Sequence, residues 1–426
     1  MKKKSLCAAL AVCLAAGCVF SGCSKKEQTA AQSGGPATIQ LAVWDISLSA
    51  YYTELVSSFQ AANPNIKVEV IDIPAADFTQ KLSVMLNGGS AVDVFFIKDG
   101  DTTRGLASRG QLADLSSYIK KDNIDLAAYN GLAERFDMDG KIVALPASTA
   151  YYVLFYNKDI FDKAGIPYPS NDLTWPQFEQ LAQQLTSGSG AGKIWGAHFH
   201  SWQALVQNWA IQDGKHTIVE TDYSFMKSAY EMVLRMQDAG TIRDYGAIRA
   251  GNIQYGNEFL RGGIAMLPMG FWLAAALKDR IDNGESTLNW GVATIPHPEG
   301  TPAGWTVGSV TPLAINNASK YRDAAWEFVK FVTSEEGAQI YAQHAVFPGR
   351  ADAQSLAAIA NVPGMPAGLA DALAVENIAL DRPMVDHVAE VNQMLGEEHG
   401  LILLKEVTVD QGLADMAKHA KEILGN

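Results

Sequence analysis

The chain has 426 residues, 48% of them apolar and 19% charged, with a mean hydropathy near zero. This balance excludes a chain built mainly of membrane spans or of disordered tracts, and the length predicts two lobes, each with its own core. A formal charge of −13 opposes binding to nucleic acid or anionic membranes and leaves uncharged ligands open.

The first segment is an address. Lys2, Lys3 and Lys4 precede an apolar run from Leu6 to Val19, and Phe20-Ser21-Gly22 supplies small residues before Cys23. This resembles a bacterial lipoprotein signal over residues 1–22, with Cys23 as the lipidated first residue of the mature chain. Phe20 stands where leucine is usual, and Cys18 after Ala16-Gly17 is a second candidate. All four cysteines, Cys7, Cys13, Cys18 and Cys23, lie here, so disulfides and thiolate chemistry are not expected in the mature protein. Residues 23–37 are polar and without apolar period, and read as a flexible tether.

Thr38 to Trp44 alternates Ile39, Leu41 and Val43 as a strand does. Ser47 to Asn63 carries Tyr52, Leu55, Val56 and Phe59 at helical spacing and stops at Asn63-Pro64. Ile66 to Ile73 alternates again, and Asp77 to Asn87 is an amphipathic helix closed by Gly88-Gly89. Val92 to Ile97 is continuously apolar, as in a strand covered on both faces. The order β-α-β-α-β predicts a doubly wound α/β lobe. Further on, Tyr151 to Tyr156 is an apolar strand whose following helix Asn157 can cap. Thr174 and Gln177 form a capping box around Trp175-Pro176, starting a helix that runs to Leu185.

Ile194 to Phe199 is extended and Ser201 to Ala210 helical; Ile264 to Met269 and Trp290 to Ile295 are strands. Gly304 to Gly308 leads into another strand, Thr311 to Ile315. Helices follow over Asp323 to Val332 and from Ser334, and Thr408-Val-Asp-Gln411 is a second capping box heading the last helix.

Pro146-Ala-Ser-Thr-Ala-Tyr-Tyr-Val-Leu-Phe-Tyr-Asn-Lys-Asp-Ile-Phe-Asp-Lys163 resembles the signature of the bacterial family 1 extracellular solute-binding proteins, the group of maltose-binding protein. Leu106 to Leu115 resembles its earlier helix-Gly-x-Leu-x-x-Leu turn, and Asn289 to Ile295, Gly304-Trp305, Ala325 to Phe328 and Phe347-Pro-Gly-Arg350 look like its later landmarks in order, so the resemblance runs from about residue 38 to the end. The resemblance implies an α/β, two-lobed periplasmic-binding-protein-like fold of type II, its doubly wound lobes joined by a three-segment hinge. The crossings are expected near 147–152, 309–313 and 349–352. One lobe would take 38–148 plus 312–349 and the other 149–311 plus 350–426. It also implies a monomer on the outer face of the cell membrane, passing a captured carbohydrate to the transmembrane subunits of an ABC permease and their ATPase.

In open α/β sheets, strand C-terminal ends face the ligand crevice, where an indole can stack on the apolar face of a pyranose. Of nine tryptophans, Trp44, Trp272 and Trp305 follow or flank strand ends and Trp202 opens a helical stretch, whereas Trp175, Trp209, Trp290 and Trp326 fall on core patterns. The resemblance adds Asp45, Lys98, Asp99, Tyr151, Asn208 and Arg350 as hydrogen-bonding groups, with Gly270 and Phe271 beside Trp272. No HExxH, nucleophile elbow or phosphate loop occurs, and His198-Phe-His200 lacks further ligands, so neither cofactor, metal nor catalysis is expected. The alternatives are a binding protein for a non-sugar solute, a sensor that presents its ligand, and a lipid-anchored glycan hydrolase.

Overall fold

The structure, a computed structural model, describes residues 36–46, 49–74, 77–89, 92–98, 102–129, 131–350, 353–375 and 377–425. Residues 1–22, where a signal sequence is expected, and Cys23 and Asp99 lie outside the described residues. Twelve strands form among the described residues. They are β1 (Ala37–Trp44), β2 (Ile66–Ile73), β3 (Val94–Phe96), β4 (Asp137–Met138), β5 (Lys141–Ile142), β6 (Leu145–Asn157), β7 (Trp195–Ala197), β8 (Ile264–Gly270), β9 (Trp290–Thr294), β10 (Trp305–Ile315), β11 (Phe347–Pro348) and β12 (Asn377–Leu380). All but the β4–β5 hairpin join one connected sheet system, in the order β2-β1-β3-β10-β6-β8-β7, with β9 and β11 also on β6 and β12 on β10.

Alternation explains the first lobe. Ile39, Leu41 and Val43 of β1, Val94 and Phe96 of β3, and Leu313 and Ile315 of β10 point into one cluster with helices Ala50–Ala62 and Arg322–Val332. The residues between them, Ala42, Phe95 and Ala314, enter a second cluster with Phe78, Leu82 and Leu86 of helix Phe78–Asn87. Successive side chains of a strand face opposite ways, so a sheet covered by helices on both faces needs apolar residues at every position.

Two long strands carry the chain between the lobes. Residues 145–151 of β6 pair with β10, and residues 152–157 pair with β8 and β9. β10 in turn pairs with β3 at Leu313–Ile315 and with β12 at Trp305–Gly308. Read as two pieces in the sequence, residues 305–315 form a single strand because each end finds its own partner. Its register shifts between Thr311 and Pro312, where proline has no N–H to give the ladder. The larger core surrounds Tyr151–Tyr156, with helices Trp175–Leu185, Ala204–Ile211, Lys227–Asp238, Val388–Leu403 and Val409–Leu424.

Local signals hold well. Asn157 accepts from the amides of Asp159 and Ile160, and the Thr174–Gln177 capping box is complete. At the last helix only half of the expected box forms. Thr408 accepts from the Gln411 amide, but the Gln411 side chain turns away from the Thr408 N–H and donates through Nε2 to the Asp415 carboxylate one turn on.

Candidate functional site

The larger lobe presents an aromatic wall at the end of β8. Trp272 stands two residues beyond that strand's last residue, Gly270, and is 39% exposed, unusual for its size. Its indole N–H donates to the Tyr255 hydroxyl at 3.3 Å, and its ring meets Tyr152 edge-on at 5.4 Å. Trp202, 40% exposed, lies 5.4 Å from Tyr255 and 4.6 Å from His200. Tyr255 thus couples two indoles that stand seventy positions apart in the chain. No pattern in the sequence marks Tyr255, which starts the short helix Tyr255–Leu260 with no apolar repeat.

Behind this wall sit polar groups without partners. The Nδ1 of His200 and the Nε1 of Trp209 are buried and make no hydrogen bond within the described residues, and the buried Asn208 amide stands beside the Tyr152 hydroxyl. Burial pushes His200 down to about 4 and His198 to about 3, so both imidazoles are neutral near pH 7. Burial also raises Tyr152 and Tyr255, keeping both hydroxyls protonated. Uncharged donors against exposed indoles suit a ligand with hydroxyls and apolar C–H faces. Among the described residues, no group of three or more His, Cys, Asp or Glu could hold a metal ion.

Trp305 is half-buried, its ring filling the space beside Gly214. Gln212 fixes that strand end: its Nε2 donates to the carbonyls of Trp305 (2.7 Å) and Pro296 (3.0 Å), and its Oε1 accepts from Trp175 (3.1 Å). In the other lobe, half-buried Trp44 packs edge-on against Phe78, Tyr52 and Phe96 at 5.0–6.4 Å. Asp45 beside it adopts φ 46°, a left-handed turn that aspartate tolerates better than most residues. Lys98 is half-buried and, with Phe78, lines a crevice at the end of β3.

Three of the expected positions are engaged within the protein itself. Tyr151 is buried and its hydroxyl donates to the Leu373 carbonyl at 2.9 Å, with its ring stacked on Phe347, so it has no donor to offer a ligand. Phe271 is 1% exposed and packs on Phe347. The Arg350 guanidinium pairs with Glu335 at 3.4 Å and lies over Tyr129 of the β1–β3 lobe, while its Nε is buried without a hydrogen bond within the described residues. Trp175, Trp209, Trp290 and Trp326 are buried, as the sequence pattern suggested.

The family model of the bacterial extracellular solute-binding proteins matches residues 45–339. The chain belongs to that family. Its members are binding proteins of the extracytoplasmic space. A sugar transporter of Rhizobium etli, solved in an open conformation, superimposes with a TM-score of 0.83 at 40% identity, covering 90% of this chain and 99% of that one. An arabinooligosaccharide-binding protein of Bacillus subtilis is 25% identical over 79% of this chain and 78% of its own. A maltooligosaccharide ABC transporter solute-binding lipoprotein of Streptococcus pneumoniae is 27% identical over 78% of each. This solute-binding protein accordingly has their two-lobed α/β fold, and no helix among its described residues is long and apolar enough to cross a membrane.

Proposed function

We propose that this solute-binding protein captures a carbohydrate between its lobes and delivers it to an ABC-type permease, working as a monomer held to the outer face of the cell membrane by lipid on Cys23. The observation that carries the reading is the pair of indoles, Trp202 and Trp272, left exposed on one wall and joined through Tyr255. A soluble protein has little reason to expose two such rings together unless a ligand covers them. The names of the relatives point the same way.

In this reading Trp202, Trp272 and Trp305 stack on sugar rings, with Gly270 giving room for the Trp272 indole. Asn208, His200 and Tyr255 bond hydroxyls, and Trp44, Asp45, Lys98 and Asp99 serve the facing wall. The lobes comprise residues 38–148 with 312–349 and 149–311 with 350–426, and close about the three crossings. Binding favours the closed form because only there do both walls touch the solute. The protein is a carrier and not an enzyme. Calorimetric titration with neutral mono- and oligosaccharides is expected to show a dissociation constant near the micromolar range, about −8 kcal/mol. Silence across that panel, with binding of peptides or metal ions instead, would overturn the assignment.

A further inference from the structure

The connection from β12 to helix Val388–Leu403 touches both lobes. It leaves the sheet at Asp381, whose amide donates to the Gly308 carbonyl of β10 at 2.9 Å. Met384 then packs on the cluster of Phe78, Leu82 and Leu106, which belongs to the lobe of β1–β3. Two residues on, Asp386 accepts from Arg104 Nε at 2.8 Å. Arg104 stands on helix Thr102–Ser108 of that same lobe, whereas Val388 and Val391, two and five residues after Asp386, lie in the core of the other. A strap rooted in one lobe is therefore pinned to its neighbour by one apolar and one ionic contact.

The pinned side is the ligand side. Strap and helix enclose a crevice of about 320 Å³, lined by Phe78, Ile97 and Lys98 on one flank and by Val385, Asp386 and His387 on the other. Ile97 and Lys98 follow the C-terminal end of β3, the edge at which such sheets meet their ligands. At its root, Asp381 and Arg382 stand close enough to Tyr152 for their charges to act on its hydroxyl.

We propose that Arg104 and Asp386 form an inter-lobe clasp that favours the approached arrangement of the lobes and so strengthens solute binding without touching the solute. The proposal rests on the reading of capture by lobe closure. Rotation about the hinge strands would draw Arg104 and Asp386 apart, so the pair acts on the population of closing-competent molecules, and apparent affinity scales with that population. Arg104 is 44% exposed and Asp386 73% exposed, which makes the clasp modest and salt-sensitive. Both are positioning residues.

The test is a double-mutant cycle read by calorimetry against whichever sugar the wild type binds, with small-angle scattering of the unliganded proteins alongside. Arg104→Ala and Asp386→Ala are each expected to weaken binding by about two- to fivefold at low salt, the scale of an exposed pair. The double variant should be no worse than either single one, the charge-swapped Arg104→Asp/Asp386→Arg chain should regain wild-type affinity, and high salt should erase the differences. Scattering should show the single variants more extended than wild type before any sugar is added. Additive losses, or a swap that fails to recover, would mean that Arg104 meets the solute itself and would overturn the clasp, as would unchanged scattering. A wild type that binds no sugar would instead defeat the carbohydrate reading and leave the scattering comparison to decide the clasp.

Discussion

The indole of Trp272 occupies the space beside Gly270 that any other residue would fill: a β-carbon on Gly270 would stand 1.9 Å from Cζ3 and 2.0 Å from Cη2. Gly270 is the last residue of β8, so the absence of a side chain there sets where the exposed ring rests. Gly270→Ala should push the ring off its seat without breaking the strand, since the obstacle is a partly exposed side chain. The expected result is about tenfold weaker sugar binding, roughly 1.4 kcal/mol, with a melting midpoint close to wild type. Gly308→Ala offers the contrast. Its β-carbon would meet the Ala150 carbonyl oxygen at 2.5 Å and Ile378 Cγ2 at 2.8 Å, and a backbone atom cannot swing aside. That change should cost about 1–3 kcal/mol in chemical denaturation.

Trp202→Ala and Trp272→Ala separate ligand stacking from core filling. Each ring keeps roughly two-fifths of its surface exposed, at 40% and 39%, so truncation should lower stability little. Each is expected to weaken sugar binding by about 1–2 kcal/mol, the worth of a well-placed aromatic face. A large drop in melting midpoint with unchanged affinity would assign both rings to the core.

Gln212 is fully buried and serves three groups at once: Trp175, Pro296 and Trp305. Gln212→Ala strands two carbonyls and an indole N–H, and should destabilise the protein by about 2–4 kcal/mol. Because one of the stranded groups is the Trp305 carbonyl, sugar affinity should fall as well, which isothermal titration on the folded variant would read.

Three buried histidines set the acid limit. Burial holds His198 and His399 near 3 and His200 near 4, against an ordinary value of 6.5. Between those values the unfolded chain binds protons that the folded chain refuses, so stability rises with pH across the window. It is fully present above about pH 6.5 and is lost progressively as pH falls toward 4. Denaturation midpoints measured from pH 7.5 to 4.5 should decline steadily, and replacing His399 with glutamine should flatten that slope.

Cys23→Ser should leave sugar binding intact and abolish membrane retention, as fractionation of expressing cells would show. Retention of the serine variant would point to Cys18 or to an uncleaved leader.

Much of the fold was legible because its signals are local. The alternation of Ile39, Leu41 and Val43, the spacing of Tyr52, Leu55, Val56 and Phe59, and the Asn157 and Thr174 caps each act within a few residues and were found where expected. Where a local pattern had a competitor, the reading slipped. Gln411 had Asp415 within a turn, and residues 305–315 joined across Thr311 because β6, β3 and β12 supplied partners that the chain order did not reveal.

Alone, the sequence determined that this chain makes wound α/β lobes, that it carries no cysteine after Cys23, and that several tryptophans fall near strand ends. Period, composition and residue order carry that information in short range. Tertiary structure decided which aromatic residues share a wall. It brought Tyr255 between Trp202 and Trp272, took Tyr151 and Phe271 into the core, and set Asp386 against Arg104. These are contacts between segments tens to hundreds of residues apart, fixed by sheet pairing and helix packing, and no spacing within the chain encodes them.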